Sequence, residues 1–530
     1  MCRAGLVDPT RPDEAMRSML AVRRLGPIAG AAWIAARRYG AATALVDEVG
    51  SLTYRELGRR SNALARAWIS AGLNADSVVA VLCRDHRHLL DCMLAGAKIG
   101  AKVLLLNTGF GSSQLADVVR REQASALAHD QEFTEILTDV DQSIPRFLAW
   151  VDDADSALDA PTLAELIARS PDAGLRHPPA PGSVVLLTSG TTGTPKGAAR
   201  QLRSVFAATH FVERIPFRRG ESTFIGTPMF HATGLSQLII ALALGSAVVA
   251  RRRFDPEQTL RAVQDNRCTG LILVPTMLTR ILDLPTETRD RYDVSSLRVI
   301  LTAGSALPPD VSDRTLDRFG KVLYNLYGST EVAVATVATP AELADAPGTV
   351  GRTPRGCVVR IYDNNGRRIN EPDASGRIFV GSELSFGGYT GGDHKEMIDG
   401  LLSSGDVGHL DADGLLFVDG RDDDMIVSGG ENVFPVEIEN LLVARQDVLD
   451  AAVIGIADPE FGQRLKAFIV PATEGALDAN TVKDYVKANL ARYKVPREVV
   501  FVDELPHNQT GKLLRGRLAE NEAADERDSG

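Results

Sequence analysis

The eleven residues from Leu187 to Gly197, LTSGTTGTPKG, constrain this chain most, because they concentrate anion-handling groups directly after a short apolar run. Ser183 to Leu187 reads as a buried strand. The loop leaving its end carries hydroxyls on Thr188, Ser189, Thr191, Thr192 and Thr194, glycines at 190, 193 and 197, and the charge of Lys196. Glycine lets the backbone approach an anion and adopt conformations that a Cβ forbids, so this is a phosphate loop placed where a ligand loop belongs. The spacing is not that of a Walker A motif. From Gly190 the sixth position is Pro195, and Gly197 follows the lysine, which disfavours a P-loop kinase or GTPase. The competing reading is a flexible Ser/Thr/Gly linker, against which the Pro-Lys-Gly after an apolar strand argues.

A chain of 530 residues exceeds one ordinary core, so two or more domains are expected, one of them large. Hydrophobic content of 44%, charged content of 24% and a net charge of -11 describe a soluble globular protein and argue against a general nucleic-acid binder. Phosphate ligands must then be met locally. Cys2, Cys83, Cys92, Cys268 and Cys357 are scattered without C-x-x-C spacing, so neither a zinc site nor a disulfide framework is indicated, and a reducing cytoplasm fits best. The apolar run Leu25 to Ala36 is too short to span a bilayer and contains Gly26, Pro27 and Gly30. Arg23, Arg24, Arg37 and Arg38 flank it. Weak attachment at the inner membrane face is therefore an alternative to an ordinary packed helix, which is the preferred reading.

Along the chain, Ala44 to Tyr54 reads as a hairpin and Tyr54 to Ala71 as a helix. Val78 to Cys83 and Lys102 to Asn107 read as strands around a helix from His88 to Ile99, the alternation of a doubly wound parallel sheet. His86 and His88 fall at a strand-to-helix turn and read as solvated loop residues. The acidic, loop-rich stretch from Ala128 to Pro181 reads as a connector. After the phosphate loop come a helix from Leu202 to Glu213, a strand from Ser222 to Pro228, an apolar helix from Leu235 to Leu244, and short strands at Leu271 to Val274, Val299 to Thr302 and Val322 to Leu326. His231, at the end of one of these strands, reads equally as a pocket residue or a hydrogen-bonded core histidine. Glu331 leaves another strand end with Tyr327 and Ser329, and a carboxylate near phosphates is a plausible Mg²⁺ anchor. Arg360 to Val418 reads as a small β-rich region, and the charged run Arg421 to Asp424 as a linker. Beyond it, a helix from Val436 to Ala444, strands at Ala451 to Ile456 and Ala467 to Val470, and a helix from Ala479 to Ala491 make a compact α+β domain. The acidic tail beyond Ala519 reads as disordered.

TSGTTGTPKG, PMFHATG, AGSALP, YGSTE, SGD, GRDDDMIVSGGEN and NQTGK occur in that order. Together they resemble the adenylate-forming superfamily of acyl-CoA synthetases, adenylation domains and luciferases, over roughly Ala44 to Arg517. The tract from Gly388 to Glu439 is most similar to bacterial fatty acid–CoA ligases. The resemblance implies a fold of α/β class. Residues 1–422 would form a large N-terminal domain of doubly wound sheets with a β-rich subdomain at about 355–420. Residues 423–530 would form a small mobile α+β C-terminal domain, with a disordered tail from about 520. It also implies ligation of a fatty acid to coenzyme A through an acyl-adenylate, with ATP, Mg²⁺ and CoA. An aromatic-acid CoA ligase and a fatty acyl-AMP ligase are the alternatives within the same chemistry. Oligomeric state is left open, a homodimer included.

Residue by residue, the resemblance assigns the β- and γ-phosphates to Thr188, Ser189, Gly190, Thr191, Thr192, Gly193, Thr194 and Lys196. It assigns Mg²⁺ to Thr188 and Glu331, the α-phosphate to Thr330, and the flanks of the adenine to Ser305 and Tyr327. Asp406 would accept the ribose hydroxyls and Arg421 would approach the ribose or phosphates. Lys512 would be the mobile lysine of adenylation, and Asp423 the hinge. Ser428, Gly429 and Gly430 would line the pantetheine tunnel in the second state, with His231 between acyl pocket and tunnel. This chain departs from the family pattern at Ser404, where a Thr is usual, and over Gly391 to Leu402, which lacks the familiar Trp. His231 stands where amino-acid-activating members carry an aspartate, which disfavours amino acids as substrates.

Overall fold

The computed structural model describes residues 12–152, 159–176, 178, 180–188, 196–199, 212–329, 331–382, 395–428, 431–458, 462–473, 475, 477–508 and 513–519. The chain begins with α1 (Pro12–Tyr39), which is bent at Gly26 (φ 77°) just before Pro27. The bend folds the helix back on itself. Arg38 Nε lies 3.1 Å from the Glu14 carboxylate, and a Cβ on Gly30 would stand 2.7 Å from Val22 Cα. The packed-helix reading of residues 25–36 therefore holds, and among the described residues no helix is long and apolar enough to cross a membrane.

Strands β1 (Thr43–Asp47) and β2 (Gly50–Thr53) form the expected hairpin. Helix α2 (Tyr54–Ser70) starts in a capping box, Thr53 Oγ1 accepting the Glu56 N–H while Glu56 accepts the Thr53 N–H. Then β3 (Val78–Leu82), α3 (Arg87–Ile99), β4 (Lys102–Leu105), α4 (Ser112–Arg121), β5 (Ala126–Asp130), β6 (Arg146–Trp150), α5 (Leu163–Arg169), β7 (Ser183–Thr188) and β8 (Lys196–Ala199) build one sheet with its helices, in the order β6-β5-β3-β4-β7-β8. All its neighbours are parallel except β7 and β8. The stretch read as a connector is thus part of the sheet: β5 pairs with β3, β6 with β5, and α5 packs on α2.

A second sheet takes β1 and β2 together with β9 (Ser222–Ile225), β10 (Ala247–Val249), β11 (Gly270–Leu273), β12 (Val299–Ala303), β13 (Leu323–Tyr327) and β14 (Thr336–Ala338), in the order β14-β13-β12-β11-β9-β10-β1-β2. Its inner strands are parallel, Leu45 of β1 lying opposite Val248 of β10. Parallel strands need both faces covered, and burial alternates accordingly. Val79 and Val81 of β3 share one core with α1, α2, α3, the helix α6 (Ala232–Ala243) and Ile272 and Leu301 of the second sheet. Val78, Ala80 and Leu82 face α4 on the other side. The far face of the second sheet is covered by α7 (Pro256–Asp265), α8 (Pro275–Leu282) and α9 (Pro309–Phe319). The result is two doubly wound sheets with a shared helical layer between them.

A third sheet, antiparallel throughout, contains β15 (Cys357–Tyr362), β16 (Arg368–Ile369), β17 (Gly376–Ser382), β18 (Met397–Ile398), β19 (Leu401–Leu410) and β20 (Leu416–Arg421). The last sheet has β21 (Ile426–Ser428), β22 (Glu431–Val433), the long pair β23 (Val448–Asp458) and β24 (Gly462–Pro471), and β25 (Glu498–Phe501). Helices α10 (Pro435–Val443) and α11 (Ala479–Asn489) pack on it with their own small core. The helix expected over Leu202 to Glu213 falls mostly outside the described residues, as does the tail beyond 519.

Candidate active site

A cleft of about 1840 Å³ opens at the carboxyl ends of the parallel strands of the second sheet, which is where ligands bind in open α/β sheets. Its walls are the segments that leave β9, β11, β12 and β13: Gly226 to Pro228, Val274, Ala303 to Pro308 and Asn325 to Ser329. Asp406 of β19 and Arg421 of β20 close one side, and Asn440, Asn508, Leu513 and Arg515 of the C-terminal part face it across the opening. Ser305, Tyr327, Glu331, His231, Asp406 and Arg421, far apart in sequence, therefore meet in one space. Ser428 does not line it.

Tyr327, the last residue of β13, donates its hydroxyl to Asp406 Oδ2 at 2.5 Å. Burial and the neighbouring Asp406 charge hold the phenol well above its ordinary range, so it stays a donor at any working pH. Asp406 and Arg421 are cross-strand partners, and Arg421 Nη1 reaches Asp406 Oδ1 at 3.3 Å. The same guanidinium grips Asp423 through Nε at 2.9 Å and Nη2 at 3.3 Å. Ser404 donates to Ile378 O and accepts the Asp406 N–H. The residue that departs from the family pattern thus fixes the backbone beneath the carboxylate, and the SGD segment lies inside a strand, not in a turn.

The turn after β13 is pinned on itself. Ser329 Oγ donates to Glu331 Oε2 at 2.8 Å and accepts the backbone N–H of Glu331 and Val332. Ala333 N–H reaches Ser329 O, and Ala335 N–H reaches Tyr327 O. The carboxylate of Glu331 is held at the cleft wall with the Ser329 hydroxyl beside it, oxygen donors of the kind magnesium takes. Of the other phosphate-site residues, Thr188 ends β7 and Lys196 begins β8. Ser189, Gly190, Thr191, Thr192, Gly193, Thr194, Thr330, Gly429, Gly430 and Lys512 lie outside the described residues. The described residues on either side of Lys512 meet, Leu514 N–H bonding Pro506 O at 2.8 Å and His507 forming a β-bridge with Leu513. Arg515, just after it, pairs with Asp424 at 3.2 Å and Glu439 at 2.5 Å.

His231 stands at the N-cap position of α6, its ring tilted at 47° against Phe230 with the centroids 4.6 Å apart. Its Nε2 is buried with no hydrogen-bond partner among the described residues, and burial lowers the imidazole to about 4. A neutral, polar, underused ring at the cleft is a pocket residue and not the hydrogen-bonded core histidine of the competing reading. Asp85 went unnoticed in the sequence. It is buried at the cleft, accepts the Met229 N–H at 2.9 Å, and burial pushes its carboxyl up to about 7. Only its place three residues past the end of β3 could have flagged it.

The reading of His86 and His88 as solvated is wrong, because both are buried. His86 Nδ1 accepts the His88 backbone N–H at 3.2 Å, so its Nε2 carries the proton that Asp130 Oδ1 accepts at 2.8 Å. Cys83 completes a cluster within ligand distance, but with both imidazole nitrogens engaged the ring has no lone pair for a metal. The cluster is structural. Beside it, Arg84, Arg251, Arg252, Arg253, Arg280 and Arg314 line the cleft. Arg252 lies over the Trp150 ring at 4.4 Å, and Arg84 makes two bonds to Glu132. Carboxylates share this lining, Asp85, Asp283 and Asp310 among them, and Arg84, Arg252 and Arg253 are all paired with Glu132.

Residues 32–390 match the AMP-binding enzyme family, and residues 437–512 match the AMP-binding enzyme C-terminal domain. The chain is 34% identical to the indoleacetate–CoA ligase of Aromatoleum aromaticum, over 88% of this chain and 92% of that protein. It is also 34% identical to a feruloyl-CoA synthase of an Amycolatopsis species, over 90% and 95%. The fold superposes on the o-succinylbenzoate CoA synthetase of Bacillus subtilis in complex with its acyl-adenylate intermediate, with a TM-score of 0.80 and 25% identity over 92% of this chain and 97% of that one. With the ordered motifs, the two doubly wound sheets and the cleft in agreement, the chain belongs to the AMP-binding enzyme family, the adenylate-forming superfamily.

Proposed function

We propose that this enzyme is an ATP-dependent acid–CoA ligase whose acid is a medium- or long-chain fatty acid. The observation that carries the reaction is the convergence of Tyr327, Glu331, Asp406 and Arg421 on the cleft that Asn508 and Leu513 also line. A carboxylate does not acylate a thiol at neutral pH, because its leaving group would be oxide. Adenylation replaces that leaving group with AMP, and a thiol then displaces AMP to give the thioester. Since the first attack brings anion against anion, the site must place donors and cations around the phosphates. In this reading Thr188 to Lys196 hold the β- and γ-phosphates, Thr330 the α-phosphate, Ser305 and the Tyr327 ring the adenine, and Asp406 the ribose. Mg²⁺, held by Thr188 and Glu331, supplies charge neutralisation at the phosphates. Lys512 brings a compact cation to the reacting carboxylate.

The C-terminal part, from the hinge at Asp423 onward, turns between the two half-reactions. Asn508 and Leu513 line the cleft while Ser428 does not, which supports an arrangement for adenylation here. Ser428, Gly429 and Gly430 take their place along the pantetheine when the domain turns. The arginine rim suits the phosphates of ATP and CoA, both polyanions. The outward face of the first arm of α1, where Met16, Met19 and Leu20 are exposed beside Arg17, Arg23 and Arg24, supports weak contact with an anionic lipid surface.

The fatty-acid reading is supported by the apolar lining of Phe230, Val274, Met277, Leu307 and Val334, at about 0.8 kcal/mol for each buried methylene. An aromatic acid is the second reading, favoured by relatives named for indoleacetate and ferulate. AMP release with CoA across acids from acetate to long chains, with benzoate and indoleacetate, tests both. Efficiency rising with chain length until the pocket fills supports the first, and a clear preference for the ring acids replaces it with the second.

A further inference from the structure

Asp406, which lines the cleft, has its two oxygens separately engaged. Oδ2 takes the Tyr327 hydroxyl at 2.5 Å, and Oδ1 takes Arg421 Nη1 at 3.3 Å. Arg421 is itself tied to Asp423 through two of its nitrogens. Tyr327 is held as well. It ends a strand of the large parallel sheet and is half-buried against the core of the antiparallel sheet that carries Asp406. The terminal torsion of an aspartate is ordinarily broad. One donor on each oxygen turns it into a plane of fixed orientation.

A vicinal diol needs such an acceptor. Its two hydroxyls project a fixed distance apart, so a carboxylate accepts from both only when its plane is already aligned. We propose that the Tyr327 hydroxyl is a positioning residue that holds Asp406 in the orientation that receives the two ribose hydroxyls of the nucleotide, a role separate from any contact its ring makes with the base. This rests on the reading of Asp406 as the ribose acceptor.

Tyr327→Phe keeps the ring and deletes only the donor. Initial rates of adenylation are measured with ATP, 2′-deoxyATP and 3′-deoxyATP as sole nucleotide. The wild type should prefer ATP. In the variant the KM for ATP should rise about tenfold, the scale of one lost hydrogen bond to a charged group. The KM values for the deoxy nucleotides should rise less than that for ATP, so that the discrimination falls. A melting temperature near wild type reports that the variant is folded. A loss shared equally by all three nucleotides, or no change with any, overturns the proposal. Asp406→Asn is run alongside. If it leaves the preference for ATP intact, the ribose reading itself has failed. If it abolishes the preference while Tyr327→Phe does not, only the positioning role has failed.

Discussion

Gly328 lies so close to Ala333 that a Cβ on it would stand 1.8 Å from the Ala333 carbonyl oxygen. Nothing larger than glycine fits, because the turn must double back within five residues to present Glu331 beside Tyr327. Gly328→Ala should therefore push the turn away from the cleft wall, at the cost of about 1 to 3 kcal/mol typical of overpacking. A fall in melting temperature together with an adenylation rate at least tenfold lower is the expected pair of results. Wild-type activity in this variant would mean that the Glu331 turn tolerates displacement.

Glu331→Gln should abolish adenylation far more than it weakens ATP binding. Hydrogen bonds from Ser329 can persist with the amide, so the fold of the turn is kept while the charge is lost. A carboxylate that acts where charge develops matters most in the transition state. ATP affinity by calorimetry and single-turnover adenylation rates make the comparison, and equal losses in both would refute the assignment.

Lys512→Ala should separate the half-reactions. A lost transition-state contact of roughly 3 to 4 kcal/mol slows adenylation by about a hundred- to a thousandfold. Preformed acyl-adenylate and CoA should still give thioester near the wild-type rate, since the loop between His507 and Leu513 would have left the nucleotide by then. An equal fall in both steps would assign Lys512 a structural role or a part in thioester formation.

Asp85→Asn should stabilise the protein at alkaline pH. Burial raises the folded carboxyl from 3.8 to about 7, so between those values the native state holds a proton that the unfolded chain has released. Stability from this group is intact below pH 4 and declines as pH rises through 7. Asparagine keeps the acceptor for Met229 N–H and removes the charge. At pH 8 the variant should gain up to about 4 kcal/mol by denaturant unfolding, at about 1.4 kcal/mol per pH unit. At pH 5 the gain should shrink to roughly half or less. A difference independent of pH would show that Asp85 is not the titrating group.

Where a segment's own pattern decides its structure, the sequence was a good guide. The apolar run of β3 and the Thr53–Glu56 capping box announce their elements locally, and glycines at strand ends mark the turns of the cleft. Strand β5 was missed because Ala126–Asp130 ends in His129 and Asp130, which look like loop residues until β3 and β6 enclose them. His86 looked solvated for the same reason, since its partner Asp130 is 44 residues away. The bond from Tyr327 to Asp406 crosses 79 residues and two sheets. Motif order could suggest that both residues serve one nucleotide, but not that one holds the other.

The pairing of Leu45 with Val248 has a consequence for the order in which the molecule can be assembled. The hairpin β1–β2 is the first sheet-forming segment to leave the ribosome, yet its neighbour β10 follows roughly 200 residues later. The sheet from β3 to β8 is complete in the chain by residue 199 and can close in the meantime. At about 5 to 20 residues per second, β1 waits some tens of seconds with its inner edge open. An unpaired strand edge is a template for aggregation. Strand β1 is thus enclosed long after it is made, and yield during synthesis should respond more sharply to changes at Thr43–Asp47 than the stability of the finished fold does.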